Sequence, residues 1–442
     1  MKVAIIGGGG GASNAANVIR SLDKQAQIDI FTNREDIGNL PCEIPFVIKG
    51  AIPSWESSFA FKEKFYKERN IQVHFNTEIT EIFPREKRIT AEGNNYSYDK
   101  AILDLGSIPS IPRIEGLNGR NEYFLTTWTK HGKEFAQIVS KYRSAAVIGT
   151  GQIALEVAEI LKGKGYEKVY LLGRSERILR AYLDRDMVEI VESAIRDSGI
   201  ELILSAKMLG VKTNEDKKIL SLSDRDIETD FLFLAAGMEP NTGLAKRAGL
   251  KLGRTQAIAV NEYLQTSDHD IYAIGDCMEN YERITGDKIR YQTATNAARN
   301  GRLAGKNLAL GNVFPYNGTV MPFVTEAFGY QIGTVGFTED RARERGIDVV
   351  SNLIETSTRR RPFGGKPVRI KLIADRKTKT LVGAQLIGGE LVSGKIDKLA
   401  VAVACKIPVE QLSLIDTCYS PTLGSSYEAL TMALDELQEK FA

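Results

Sequence analysis

Apolar residues along this chain fall in short runs closed by glycine, not in long blocks. Lys2 to Ile6 is one such run; Gly7-Gly8-Gly9-Gly10-Gly11-Ala12 follows, then a helix-like stretch from Ser13 to Leu22 and a second strand-like run from Ile28 to Phe31. The same order returns downstream. Ala145 to Ile148 is apolar, Gly149-Thr150-Gly151-Gln152-Ile153-Ala154 follows, Leu155 to Lys162 reads as helix and Val169 to Leu172 as strand. Ala101 to Ser107, Asp230 to Asn241 and Ile271 to Asp276 are further buried-strand patterns ending in a glycine turn. Beyond about Gly318 the pattern changes. Alternating runs such as Val368 to Ile373 precede a helix from Gly394 to Cys405, with Ile396, Leu399, Ala400 and Val403 on one face.

Both early turns fit G-x-G-x-x-[GA] between a strand and a helix, with Gly7, Gly9 and Ala12 in one and Gly149, Gly151 and Ala154 in the other. In such a turn the first glycine bends the chain sharply. The second lets backbone N–H groups approach a pyrophosphate, and the third small residue lets helix and strand pack closely. The phosphates then lie on the positive end of the helix. Two copies in the same context predict two dinucleotide sites in an α/β chain: two Rossmann-like domains followed by a C-terminal α+β domain.

Composition narrows the classes. Among 442 residues, 58 Lys and Arg nearly balance 56 Asp and Glu, and the formal charge of +2 gives no field for a phosphate backbone, so no nucleic-acid partner is expected. Three histidines and four cysteines, at 42, 277, 405 and 418, form no ligand spacing, so no metal site is expected. No apolar run approaches the ~20 residues of a membrane span. The N-terminal run is too short for a signal peptide. A soluble protein in the reduced cytoplasm is the expectation.

Taken together, the N-terminal turn, N-L-P-C-E-I-P-F around Cys42, G-T-G-Q-I-A-L-E ending at Glu156, A-A-G-M-E-P-N through Gly237 to Asn241, Y-A-I-G-D-C ending at Cys277, N-G-R-L-A-G-K-N from Asn300 and C-Y-S-P from Cys418 have a family likeness. The chain resembles the FAD-dependent pyridine nucleotide-disulfide oxidoreductases. The likeness is to their single-cysteine branch of coenzyme A-disulfide reductases, NADH oxidases and persulfide reductases. The resemblance implies an FAD domain in two parts, residues 1–112 and 243–316, with an NAD(P)H domain at 113–242 and a dimerisation domain at 317–442. It assigns FAD to Gly7, Gly9, Gly11, Ala12, Asn33 and Asp276, and NADPH or NADH to Gly149, Gly151, Ala154, Arg174 and Gly237. A homodimer acting on a small thiol or disulfide, coenzyme A among them, completes the expectation.

The resemblance also makes Cys42 the redox sulfur, expected as an exposed thiolate of low pKa beside the flavin. Position 47 is Val, so the two-cysteine pair of glutathione reductases is missing, and Cys277, Cys405 and Cys418 read as structural. No histidine follows His269, and Gly10 stands where peroxidases and water-forming oxidases have histidine. Tyr419 matches a tyrosine that coenzyme A-disulfide reductases bring from the partner subunit; Arg20 and Arg299 match positions that contact coenzyme A phosphates. Gly173-Arg174-Ser175, with Arg177 and Arg180 beyond, has no carboxylate before Glu176, which favours NADPH or dual use. Two alternatives stay open: an NAD(P)H oxidase reducing oxygen, and an electron-transfer subunit with a degraded flavin site. The second is motivated by Thr32 where the family has glutamate, by Glu43 beside Cys42 and by Asp104-Leu105 in place of Ala-Thr.

Overall fold

The computed structural model describes residues 1–441, which form three sheets of five strands and smaller antiparallel additions. In the first sheet the order is Ile271–Ala273, Lys100–Leu103, Lys2–Ile6, Gln27–Phe31 and Gln72–His74, every pair parallel. The second runs Glu201–Ile203, Lys168–Leu172, Ser144–Ile148, Phe231–Leu234 and Glu122–Tyr123, again parallel. The parallel strands are buried on both faces, the second sheet by helices on one side and by the antiparallel strands Met208–Asn214, Lys217–Leu222 and Asp226–Thr229 on the other, which is why these runs are apolar throughout and not alternating. The third sheet, Phe323–Ala327, Tyr330–Gly336, Leu381–Gly388, Pro367–Asp375 and Val349–Ser357, is antiparallel. Helices Val392–Cys405 and Ala429–Glu439 pack on it through Ile396, Leu399, Leu430 and Leu434, each buried. Each such side chain contributes about 1.5–3 kcal/mol.

The predicted elements recur with small shifts. The helix expected from Ser13 begins at Gly10, and that expected from Leu155 begins at Gln152. The ends of the two turns, Gly10–Ala12 and Gln152–Ala154, therefore form the first helical turn, where glycine and glutamine carry no hydrophobic period to read. Residues 231–234 and 238–240 are separate strands, split at Gly237 with φ +112°.

One long helix, Ala294–Leu310, secures the first domain. The Thr293 side chain accepts from Asn296 N–H at 3.3 Å at its start, and Gly311 ends it in the left-handed region. It lies against the helix Gly10–Leu22 so closely that a Cβ on Gly301 would stand 2.2 Å from the Gly11 carbonyl oxygen. Of the remaining cysteines, Cys277 is buried, while Cys405 and Cys418 are at the surface. A core role therefore holds for Cys277 alone, and burial pushes its thiol up to about 12. Among the described residues, no helix is long and apolar enough to cross a membrane, and no cluster of three His, Cys, Asp or Glu side chains could hold a metal ion.

Candidate active site

The two glycine turns are built alike. Gly7 N–H donates to Phe31 O at 2.8 Å, and Gly149 N–H donates to Leu172 O at 2.7 Å, so each turn is tied to the neighbouring strand. Gly7 (φ +114°) could not carry a Cβ without meeting the Asp104 carbonyl oxygen at 2.0 Å; for Gly149 (φ +140°) the obstacle is Ala235 O at 2.2 Å. Asp104 and Ala235 thus hold equivalent places in the two units. Nothing lies within 4 Å of a Cβ on Gly10 or Gly151, so both turns present bare backbone to an open side. Ala12 and Ala154 are buried where helix meets sheet. These features fit a dinucleotide pyrophosphate at each turn.

Around the first turn, Asp276 accepts from Ser107 Oγ at 2.8 Å; burial raises its pKa and that hydrogen bond opposes the rise. The Oδ1 of fully buried Asn300, on the long helix, has no hydrogen-bond partner among the described residues. Asn33 is exposed at the end of its strand, beside buried Thr32, whose Oγ1 accepts from Arg34 N–H at 3.3 Å.

Around the second turn, Leu179 N–H donates to Thr150 O at 2.9 Å and holds the segment after Leu172 over the turn. Arg174 and Arg180 are exposed, and neither guanidinium makes a hydrogen bond or ion pair among the described residues. Arg177 differs: it is buried and donates to Leu183 O at 3.0 Å, Glu176 Oε1 at 2.7 Å and Asp340 Oδ2 at 2.8 Å, tying this domain to the C-terminal one. A cleft of about 820 Å³ opens here, lined by Thr150, Gly151, Ser175, Arg180 and, from the C-terminal domain, Arg341. Gly237 takes its left-handed turn nearby in sequence to this sheet's last apolar strand, and its carbonyl accepts from Ser110 N–H at 2.9 Å.

Cys42 lies in a single turn of 3₁₀ helix, Pro41–Glu43, that leads into the helix Ile44–Lys49. The residue reaches the surface, yet neighbouring protein desolvates its sulfur. That desolvation raises its pKa, and the negative charges of Glu156 and Asp276 raise it further. This direction runs against the expected low-pKa thiolate: the carboxylates of Glu156, Asp276 and Glu43 all disfavour the charged sulfur, and a backbone hydrogen bond to it opposes them. Glu156, quoted within its motif but not singled out as a site residue, is itself raised by burial; Gln152 and Thr325 bond it and oppose the rise. A glutamate four residues into a helix that opens at a glycine turn was the available signal.

Arg20 is a second correction. Its guanidinium is buried and donates to five backbone carbonyls, those of Asp23, Lys24, Ala26, Arg69 and Asn70, at 2.7–3.3 Å. With its donors committed to the main chain it is a strut of the fold, not a phosphate ligand. Arg299 is exposed, and only Nη2 is engaged, with Asn296 Oδ1, Tyr316 Oη and Gly318 O. Tyr419 is 53% exposed in the segment before the last helix.

Residues 1–301 match the family model of the pyridine nucleotide-disulphide oxidoreductases, and residues 325–430 match their dimerisation domain. The chain belongs to this family. As a pyridine nucleotide-disulphide oxidoreductase it is an FAD-dependent enzyme that uses NAD(P)H. It is 33% identical over 451 residues, covering 100% of both chains, to a protein of Methanocaldococcus jannaschii named NADH oxidase. It is 31% identical over 434 residues, 97% of both, to a CoA-dependent NAD(P)H sulfur oxidoreductase of Pyrococcus furiosus. Among solved structures it is similar to an engineered NADPH-bound form of the water-forming NADH oxidase of Lactobacillus brevis, at a TM-score of 0.95 and 26% identity, covering 100% of this chain and 99% of that one. That variant has five substitutions. Three at consecutive positions replace aspartate by alanine, alanine by arginine and methionine by serine, and another places an arginine five residues after the serine.

Proposed function

We propose that this oxidoreductase reduces the disulfide or persulfide of a small thiol through Cys42, with coenzyme A disulfide or persulfide as the leading substrate. The observation that carries the reading is the placement of Cys42: a residue at the surface whose sulfur is within electrostatic reach of Asp276, beside the first glycine turn, and of Glu156, on the helix that opens at the second. The sulfur-reducing relative supports it. FAD, when bound, supplies a two-electron relay from NAD(P)H to sulfur; backbone N–H groups of Gly9 to Gly11 and the Asp276 carboxylate would hold it. The Cys42 thiolate attacks one sulfur of R–S–S–R, forming Cys42–S–S–R and releasing RS⁻. Two electrons from NAD(P)H then break that mixed disulfide, returning the Cys42 thiolate and a second RS⁻. Because neighbouring carboxylates oppose the thiolate, its proton leaves most readily above the ordinary thiol range or with a cationic substrate group nearby. Arg299 offers free donors to substrate phosphates, and a homodimer would bring Tyr419 from the partner chain. Soluble, cytoplasmic operation fits this chemistry.

Gly173-Arg174-Ser175 with Arg180 reproduces the order and spacing engineered into the NADPH-bound oxidase, which favours NADPH here. The relatives named NADH oxidase favour one second reading, in which oxygen is the acceptor. Thiol release and oxygen uptake, measured side by side with NADPH, separate the two. Cys42→Ser should abolish thiol release from coenzyme A disulfide while NADPH still bleaches the flavin absorbance; a variant that keeps its thiol release ends the proposal.

A further inference from the structure

The strand Lys100–Leu103 delivers Asp104 to the back of the first glycine turn, where the second unit has Ala235. The Asp104 side chain is buried, and its Oδ2 accepts from Ala12 N–H at 2.8 Å. Three glycines surround it. A Cβ on Gly9 would lie 2.8 Å from Oδ2, one on Gly275 2.8 Å from Oδ1, and one on Gly11 3.0 Å from both oxygens. The Ala12 amide is one of the free N–H groups at the start of the helix, and among the described residues it is the carboxyl's only hydrogen bond.

We propose that Asp104 sets how tightly the chain holds FAD: its carboxylate opposes the pyrophosphate at this turn, its neutral acid does not, and flavin binding therefore takes up a proton. The inference rests on the assignment of FAD to the first turn. A carboxylate behind the helix start cancels the positive field that would attract phosphates from the front. The charged groups acting on it are few. Asp276, from the loop after Ala273, repels it; Arg34, at the end of the neighbouring strand, attracts it from a position where its guanidinium donates to Thr127 O and Oγ1. The Cys277 thiol, which donates to Leu103 O and Ile274 O, stays neutral. Burial dominates this balance and pushes the Asp104 carboxyl up to about 6, so it titrates near neutrality. Added phosphate charge raises it further, and between the free and bound values affinity falls about tenfold per pH unit as pH rises.

The test equilibrates the full-length protein with FAD from pH 5 to 8.5 and reads free FAD by its fluorescence. Wild type should bind progressively more weakly above about pH 6. Asp104→Asn, which keeps an acceptor for Ala12 N–H, should show a flat profile and bind more tightly than wild type at pH 8. Asp104→Ser serves the same purpose should the Asn variant fail to fold. A flat wild-type profile, or a slope that persists in both variants and so belongs to Asp276, overturns the proposal. Absence of FAD binding at every pH in all three proteins overturns the flavin assignment and this inference with it.

Discussion

At the scale of single residues, the arginines that the proposed function draws on are sorted by their hydrogen bonds. Arg20 and Arg177 look in sequence like phosphate ligands, yet both are buried with their donors on carbonyls and carboxylates. Arg174 and Arg180 have no such partners among the described residues and stand beside a turn shaped for a dinucleotide. An exposed arginine–phosphate pair is worth about 1–2 kcal/mol, so Arg174→Ala should cut the ratio of kcat/KM for NADPH over NADH about tenfold. Arg180→Ala should act in the same direction. Arg177→Ala should instead lower thermal stability and leave that ratio unchanged. An unaltered ratio in both Arg174→Ala and Arg180→Ala would remove the 2′-phosphate from this corner. The sequence makes Arg174 legible because it follows a strand and no carboxylate precedes it. It hides the fate of Arg20, because the five carbonyls that take its guanidinium come from a helix end and a loop distant in sequence. Asp104 is an intermediate case: one acidic residue closing an otherwise apolar run is visible, but its three-glycine enclosure is not.

At the scale of elements, the internal repeat was legible because glycine has no substitute where φ is positive and the backbone crowded. Gly7 and Gly149 meet both conditions, whereas the second glycine of neither turn has a positive φ: Gly9, at φ −77°, is crowded only by the Asp104 side chain, and Gly151, at φ −85°, faces open space. The two kinds of glycine therefore separate fold from function. Gly149→Ala should destabilise the protein by about 2 kcal/mol or more, since its Cβ would collide with the Ala235 carbonyl. Gly151→Ala should leave the melting temperature within a degree or two and raise KM for NADPH, because a methyl group there obstructs only an approaching pyrophosphate. Thermal melts beside steady-state kinetics check both; equal destabilisation by the two substitutions would mean that Gly151 serves packing. Less was legible in the C-terminal sheet. Alternation marked Val368 to Ile373, but Leu381–Gly388, buried along its whole length, gives no period from which to tell its faces apart.

At the scale of the whole molecule, the C-terminal domain leaves a segment of large apolar residues in water. Leu414 is 79% exposed, Leu423 72% and Tyr427 51%, with Tyr419 among them, inside the region that matches the dimerisation domain. Monomeric proteins seldom leave so much clustered apolar surface uncovered. A second copy across a twofold axis would cover it, and on the proposed function each chain lends its Tyr419 to the other's Cys42. This arrangement has a consequence that a tyrosine acting within its own chain does not share. Cys42→Ser and Tyr419→Phe should each depress thiol release when pure, but a heterodimer of the two has one site with an intact Cys42 from one chain and an intact Tyr419 from the other. Co-refolding equal amounts, so that half of the dimers are mixed, should restore about a quarter of wild-type activity. If Tyr419 serves its own chain, mixing restores nothing, because every chain then lacks one of the two groups. Replacing Leu414 and Leu423 together by Asp gives the independent control. Sedimentation should show monomers, and thiol release should fall even though Cys42 and Tyr419 are both present in every chain.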